Sequence, residues 1–133
     1  MIVADTNVLA AVWMPSEEES VVRKLLRTDS EWVAPRLWRS EFRNMLSLYY
    51  RKQLLDFDTA LQIMQQAEEL MDQREYEVPS VRVMGKVSDS SCSAYDCEFV
   101  ALAEDLDITL ITFDRKILKE FPGIARTPES HLA

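Results

Sequence analysis

Apolar residues recur along this chain with two periods, and the switching between them predicts strands alternating with helices. The opening run Met1-Ile2-Val3-Ala4 reads as a short buried strand that ends at Asp5. Val8 to Met14 is again apolar and predicts a helical turn stopped by Pro15. Ser16, with Glu19 three positions later, is a capping-box signature. The helix behind it buries Val21, Val22, Leu25 and Leu26 and turns Arg23, Lys24 and Arg27 outward. Glu31-Trp32-Val33-Ala34 predicts a second strand, stopped by Pro35.

From Arg36 to Lys52 the period is helical, with Trp38, Phe42, Met45 and Tyr49 on the inward face. Asp56 or Asp58 caps the next helix, which runs to about Arg74 behind Ala60, Ile63, Met64, Ala67, Leu70 and Met71. Tyr76-Glu77-Val78 reads as an edge strand, Ser80 to Val87 as a weak helix, and Asp89 to Ser93 as a loop. Ala94 to Leu106 is a helix and Thr109 to Thr112 a strand, running into Phe113-Asp114. A short helix over Arg115 to Glu120, a Pro122-Gly123 turn and an edge strand at Ile124-Ala125 follow. The tail, Thr127 to Ala133, has no pattern, and His131 within it is expected to be exposed and idle. Helical crossovers between strands make them parallel, so the ends of the first strand and of Thr109–Thr112 fall on the same side of one sheet.

Composition narrows the class. The chain has 133 residues, 47% of them hydrophobic, which suits one folded domain spanning 1–133. No apolar run approaches the ~20 residues of a membrane span, so a cytoplasmic protein is expected. Cys92 and Cys97 are the only cysteines and complete no zinc set; two reduced thiols are expected. There is no Gly-rich phosphate loop, since Gly85 and Gly123 are the only glycines. The net charge of −8 excludes a broad basic face for nucleic acid, though not an enzyme that meets nucleic acid through bound cations.

Four acids are then of interest. Asp5 and Asp114 follow strands, where open α/β sheets bind ligands. Glu41 lies four residues from both Leu37 and Met45, on or beside a buried stripe. It is either paired with Arg36, Arg39 or Arg43, or functional. Asp96 shares a face with Phe99, Val100 and Ala103; a helix-start role is open to it, but Ser93 is an equally good cap. Four carboxylates together raise each other's pKa, and the pattern places no Lys or Arg to neutralise them. An all-oxygen site of this kind suits Mg²⁺ or Mn²⁺, with Thr6, Asn7 and Thr112 as supporting groups. Such a site can activate water and stabilise a leaving oxygen in phosphate chemistry.

In Ile2-Val3-Ala4-Asp5-Thr6-Asn7, in Arg39-Ser40-Glu41-Phe42, in Ser93-Ala94-Tyr95-Asp96 before Val100-Ala101-Leu102-Ala103, and in Leu110-Ile111-Thr112-Phe113-Asp114, the sequence resembles the PIN-domain family and, within it, the VapC-type toxins of toxin–antitoxin pairs. The resemblance implies a three-layer α/β/α sandwich with a central, mostly parallel sheet of four or five strands. It also implies an Mg²⁺- or Mn²⁺-dependent endoribonuclease, a homodimer, and a small antitoxin that blocks the site. On the motif match, Asp5, Glu41, Asp96 and Asp114 are the metal-binding acids, with Asn7 and Thr112 in support. Ser91-Cys92-Ser93 departs from the family's Gly-containing turn, and Glu98, two positions from Asp96, is expected to point elsewhere. The expected substrate is single-stranded RNA. The competing readings are a metal-binding module without nuclease activity and an aspartyl phosphotransfer enzyme; the second wants an Asp where Asn7 stands.

Overall fold

The computed structural model describes all residues from Met1 to Ala133. In order, the elements are β1 (Ile2–Ala4), α1 (Thr6–Ala10), α2 (Glu19–Thr28), β2 (Trp32–Pro35), α3 (Leu37–Arg51), α4 (Phe57–Leu70), β3 (Glu75–Tyr76), α5 (Ser80–Ser88), α6 (Ala94–Leu106), β4 (Leu110–Ile111), α7 (Arg115–Glu120), β5 (Ala125–Arg126) and α8 (Pro128–Leu132). The five strands form one sheet in the order β3-β2-β1-β4-β5, and every pairing is parallel. The chain moves outward from β1 to β3, crosses back, and continues through β4 to β5. With right-handed crossovers, that reversal puts α1 to α4 on one face of the sheet and α5 to α7 on the other. The direction changes between β1 and β4, the switch point at which open α/β sheets leave a crevice.

β1 is apolar on both faces because both are covered; Ile2, Val3 and Ala4 are all buried. Thirty-three buried residues form a continuous apolar cluster through both helical layers. Trp38 and Phe42 of α3 meet edge-on at 5.7 Å, and Trp13 meets Phe42 edge-on at 6.1 Å. The Trp38 indole N–H donates to Glu75 Oε2 at 2.8 Å, so a fully buried tryptophan leaves no orphaned donor.

Several local expectations are corrected. The Ser16–Glu19 capping box does not form: α2 starts at Glu19, and the preceding Glu18 makes no side-chain cap. On α3 the third fully inward position is Leu46, while Met45 and Tyr49 are half-buried on the flank, because 3.6 residues per turn carry the stripe past them. α4 stops at Leu70, four residues before Arg74, and Asp56 rather than Asp58 caps it through Thr59 N–H. The tail is not patternless: Thr127 accepts from Ser130 N–H and Pro128 stands in the first turn, giving α8, in which His131 is half-buried. No helix is long and apolar enough to cross a membrane.

Candidate functional site

Two short strand ends build the floor of the site. Val3 and Ala4 stand in register with Leu110 and Ile111, so the chain continues into Asp5 and Thr112 side by side. Asp5 N–H donates to Ile111 C=O at 3.0 Å, extending the ladder by one rung. The Asp5 carboxylate then accepts from Thr6 N–H at 2.7 Å and from the Thr112 hydroxyl at 2.6 Å. Thr112 Oγ1 in turn accepts from Asp114 N–H at 2.9 Å. Asn7 Oδ1 accepts from Phe113 N–H at 3.3 Å and ties the two strand ends together. Asn7 and Thr112 thus link the tips of β1 and β4.

The other two acids arrive from opposite faces. Glu41 comes from α3, where Thr6 Oγ1 donates to its Oε1 at 2.7 Å. No arginine pairs with it: Arg39 is committed to Glu75 at 2.5 Å and to Glu68, and Arg43 reaches only Ser40. Asp96 comes from the first turn of α6, where the cap is Ser93, whose Oγ accepts from Asp96 N–H at 3.1 Å. The Asp96 side chain is therefore not consumed by capping. Asp114 does carry a structural duty, since its Oδ1 accepts from Lys116 N–H and Ile117 N–H and caps α7. A carboxylate oxygen has two lone pairs, so these two donors fill Oδ1 and leave the acceptor capacity of Asp114 on Oδ2.

Asp5, Glu41, Asp96 and Asp114 line one cleft of about 280 Å³, together with Thr6, Asn7, Asn44 and Met45. All four sequence-predicted acids are brought to one place. Asn44 was missed, although it stands one helical turn after Glu41, which is a readable signal. Met45 packs against the core, as its place on the helical stripe predicts, and also lines the cleft. Glu98 stays off the cleft lining, yet it is near enough to repel the Glu41 carboxylate.

The electrostatics match the crowding. Burial pushes the Asp5 carboxyl up from 3.8 to about 7; the charges of Glu41 and Asp96 add to this, and the bonds from Thr112 and Thr6 oppose it. Burial likewise raises Glu41, helped by Asp96 and Glu98. Burial raises Asp96, helped by Asp114 and opposed by Ser93 and Lys116. The protein's ion pairs all lie elsewhere, so none of the four acids has a basic partner. A hard divalent cation fits this all-oxygen set, to which no Lys or Arg makes a direct ion pair. The carboxylates surround the cleft without any three converging as a finished ligand set.

Fold and site together define a parallel α/β/α protein with an acidic cleft at its switch point. Residues 2–123 match the family described as PIN domain, and the chain belongs to that family. It is similar to Ribonuclease VapC3 of Pyrobaculum aerophilum, 25% identical over 92% of this chain and 96% of the relative. Its fold resembles three solved structures. PAE2754 from Pyrobaculum aerophilum has a TM-score of 0.78 at 20% identity, covering 98% of this chain and 92% of that one. FitAcB from Neisseria gonorrhoeae has a TM-score of 0.73 at 18% identity, covering 97% and 99%. FitAB bound to an IR36 DNA fragment also has a TM-score of 0.73, at 19% identity, covering 96% and 95%.

Proposed function

We propose that this protein is a divalent-metal-dependent endoribonuclease acting on single-stranded RNA, and the toxin of a toxin–antitoxin pair. The observation that carries the reading is the meeting of four carboxylates, without a basic partner, at the tips of β1 and β4. Membership of the PIN-domain family and similarity to a relative named as a VapC ribonuclease support it. A small antitoxin partner and a homodimer are proposed on the family resemblance.

Asp5, Glu41, Asp96 and Asp114 would hold Mg²⁺ or Mn²⁺. The cation, when bound, supplies Lewis acidity that eases deprotonation of water and stabilises the departing oxygen. The residues of the chain do the rest. Thr6 N–H and the Thr112 hydroxyl fix both oxygens of Asp5, so its orientation is set before any ligand arrives. The Thr6 hydroxyl does the same for Glu41. Glu41, half-buried and raised above its ordinary carboxyl pKa by burial, can accept a proton from a water in the cleft. Neutralising the acids also removes the barrier to an anionic backbone.

The test is cleavage of a structured RNA by wild type and Asp5→Asn, with Mg²⁺, with Mn²⁺, and with chelator. Cleavage by wild type alone, abolished by chelator, is expected. Equal cleavage by both proteins refutes the assignment. Thermal stabilisation by Mn²⁺ without any cleavage assigns the chain instead to a metal-binding module.

A further inference from the structure

Beside the acidic cleft lies a second hollow of about 220 Å³, and Asn7 and Met45 line both. Its walls are Met14, Tyr49 and Phe113, two flat rings and a polarisable thioether. Its rim carries Ser16 and Glu18. Ser16 is a residue to which the sequence pattern gives a helix-capping duty that the fold does not use. Glu18 caps nothing, and Ser16 contributes to α2 only a carbonyl 3.4 Å from Glu19 N–H. Glu18 is half-buried at the edge of this apolar pocket and its carboxylate makes no hydrogen bond or ion pair within the chain, so it is free to accept donors from a ligand.

Building on the nuclease reading, we infer that this hollow receives the guanine base of the RNA nucleotide next to the scissile phosphate, with Glu18 reading its N–H edge. Size is the first argument. The pocket falls below the ~300 Å³ at which drug-sized sites begin, so it suits one flat ring system rather than a longer ligand. Its walls are the second, because unstacked RNA bases are held on aromatic and apolar side chains. Polar matching is the third. A carboxylate accepts two parallel donors, and guanine alone among the four bases offers N1–H and N2–H side by side. Asn7 Oδ1 accepts from Phe113 N–H, which leaves its amide N–H donors available to an acceptor such as guanine O6. Charge is the fourth. A chain of net charge −8 gains little from phosphates, and an uncharged base is where affinity can come from. An apolar side chain from a protein partner suits the pocket less well, since it leaves Glu18 unanswered.

The test uses neutral nucleosides and the intact, metal-free protein, so that it is independent of catalysis. Guanosine, inosine and adenosine are titrated while the ring protons of Tyr49 and Phe113 are followed by NMR. Guanosine is expected to bind roughly tenfold more tightly than inosine, which lacks the N2 amino group, or than adenosine. Glu18→Gln is expected to erase that difference with its melting temperature unchanged. In the presence of Mn²⁺, wild type should cut a mixed-sequence RNA preferentially beside guanosine, and Glu18→Gln should not. Equal or absent responses to the three nucleosides overturn the assignment in wild type alone, whatever the variant does. RNA cleavage without a guanosine preference also overturns it and leaves the nuclease reading intact. Guanosine selectivity without cleavage of any RNA upholds the pocket and removes the nuclease reading. Ring shifts caused by N-acetyl-leucine amide, with none from guanosine, overturn the inference in favour of a protein occupant.

Discussion

Replacing Asp5 with asparagine should stabilise the metal-free protein, and should do so only above acidic pH. Asp5 is 8% exposed, and its carboxyl lies at about 7 in the fold against 3.8 in the open chain. Below pH 4 both states hold the proton and the carboxyl is neutral in stability. Between pH 4 and 7 the folded state keeps a proton that the unfolded state has released, so stability falls as pH rises. Above pH 7 the full cost is in place. At 1.36 kcal/mol for each tenfold displacement of a protonation equilibrium, that cost is about 4 kcal/mol. Asparagine removes the charge but must reverse the bond with Thr112, whose hydroxyl now donates to Asp5 Oδ2 and would have to accept from an amide. Losing one good bond takes back about 1 kcal/mol. A net gain of about 2–3 kcal/mol at pH 8 is expected. The assay is urea unfolding of both proteins in chelator at half-unit steps from pH 4 to 8.5. The gap should open between pH 4 and 7 and then stay level, and Mg²⁺ should narrow it by stabilising wild type alone. A gap that is constant with pH, or an Asp5→Asn protein no more stable than wild type at pH 8, refutes the claim that a desolvated charge is held at the tip of β1.

Other outcomes follow from the same contacts. Thr112→Val deletes the donor to Asp5 and the acceptor for Asp114 N–H at a fully buried position, and denaturant unfolding should register a loss of about 1–3 kcal/mol. Arg39→Ala strips Glu75 of its cation and should cost about 1–3 kcal/mol at pH 7. Arg39 holds Glu75 below its ordinary pKa, so this loss should fade as pH falls through that lowered value, visible in melting curves of both proteins taken in steps from pH 7 into the acid range. Mn²⁺ in 100-fold excess over its dissociation constant should stabilise wild type by about 2.7 kcal/mol, and calorimetry should find this lost in Asp96→Asn.

The parts of this protein that depend on local pattern were legible in its sequence. The apolar run into Asp5 and the parallel return of Leu110 and Ile111 follow from periodicity and crossover handedness, and they alone bring Asp5 and Asp114 to one sheet end. Ser93 as the cap of α6, with Asp96 left facing inward, was also readable. What stayed hidden depends on partners distant in sequence. The choice for Glu41 between an arginine and a role in the site turned on Arg39, whose partners Glu68 and Glu75 lie 29 and 36 residues away. The Ser16–Glu19 signature had the right spacing, yet α2 begins too late to use it. α8 escaped because five residues are too few to display a helical period, and only Thr127 and Pro128 announce it.

The bond between Asp5 and Thr112 joins positions 107 residues apart. During synthesis, at ~5–20 residues per second from the N-terminus, the first acid emerges long before the strand that orients it. A growing polypeptide therefore carries its motifs one after another as separate, powerless fragments. The cleft assembles only once β4 slots in beside β1, so the four acids become one site only after the polypeptide has grown past Asp114.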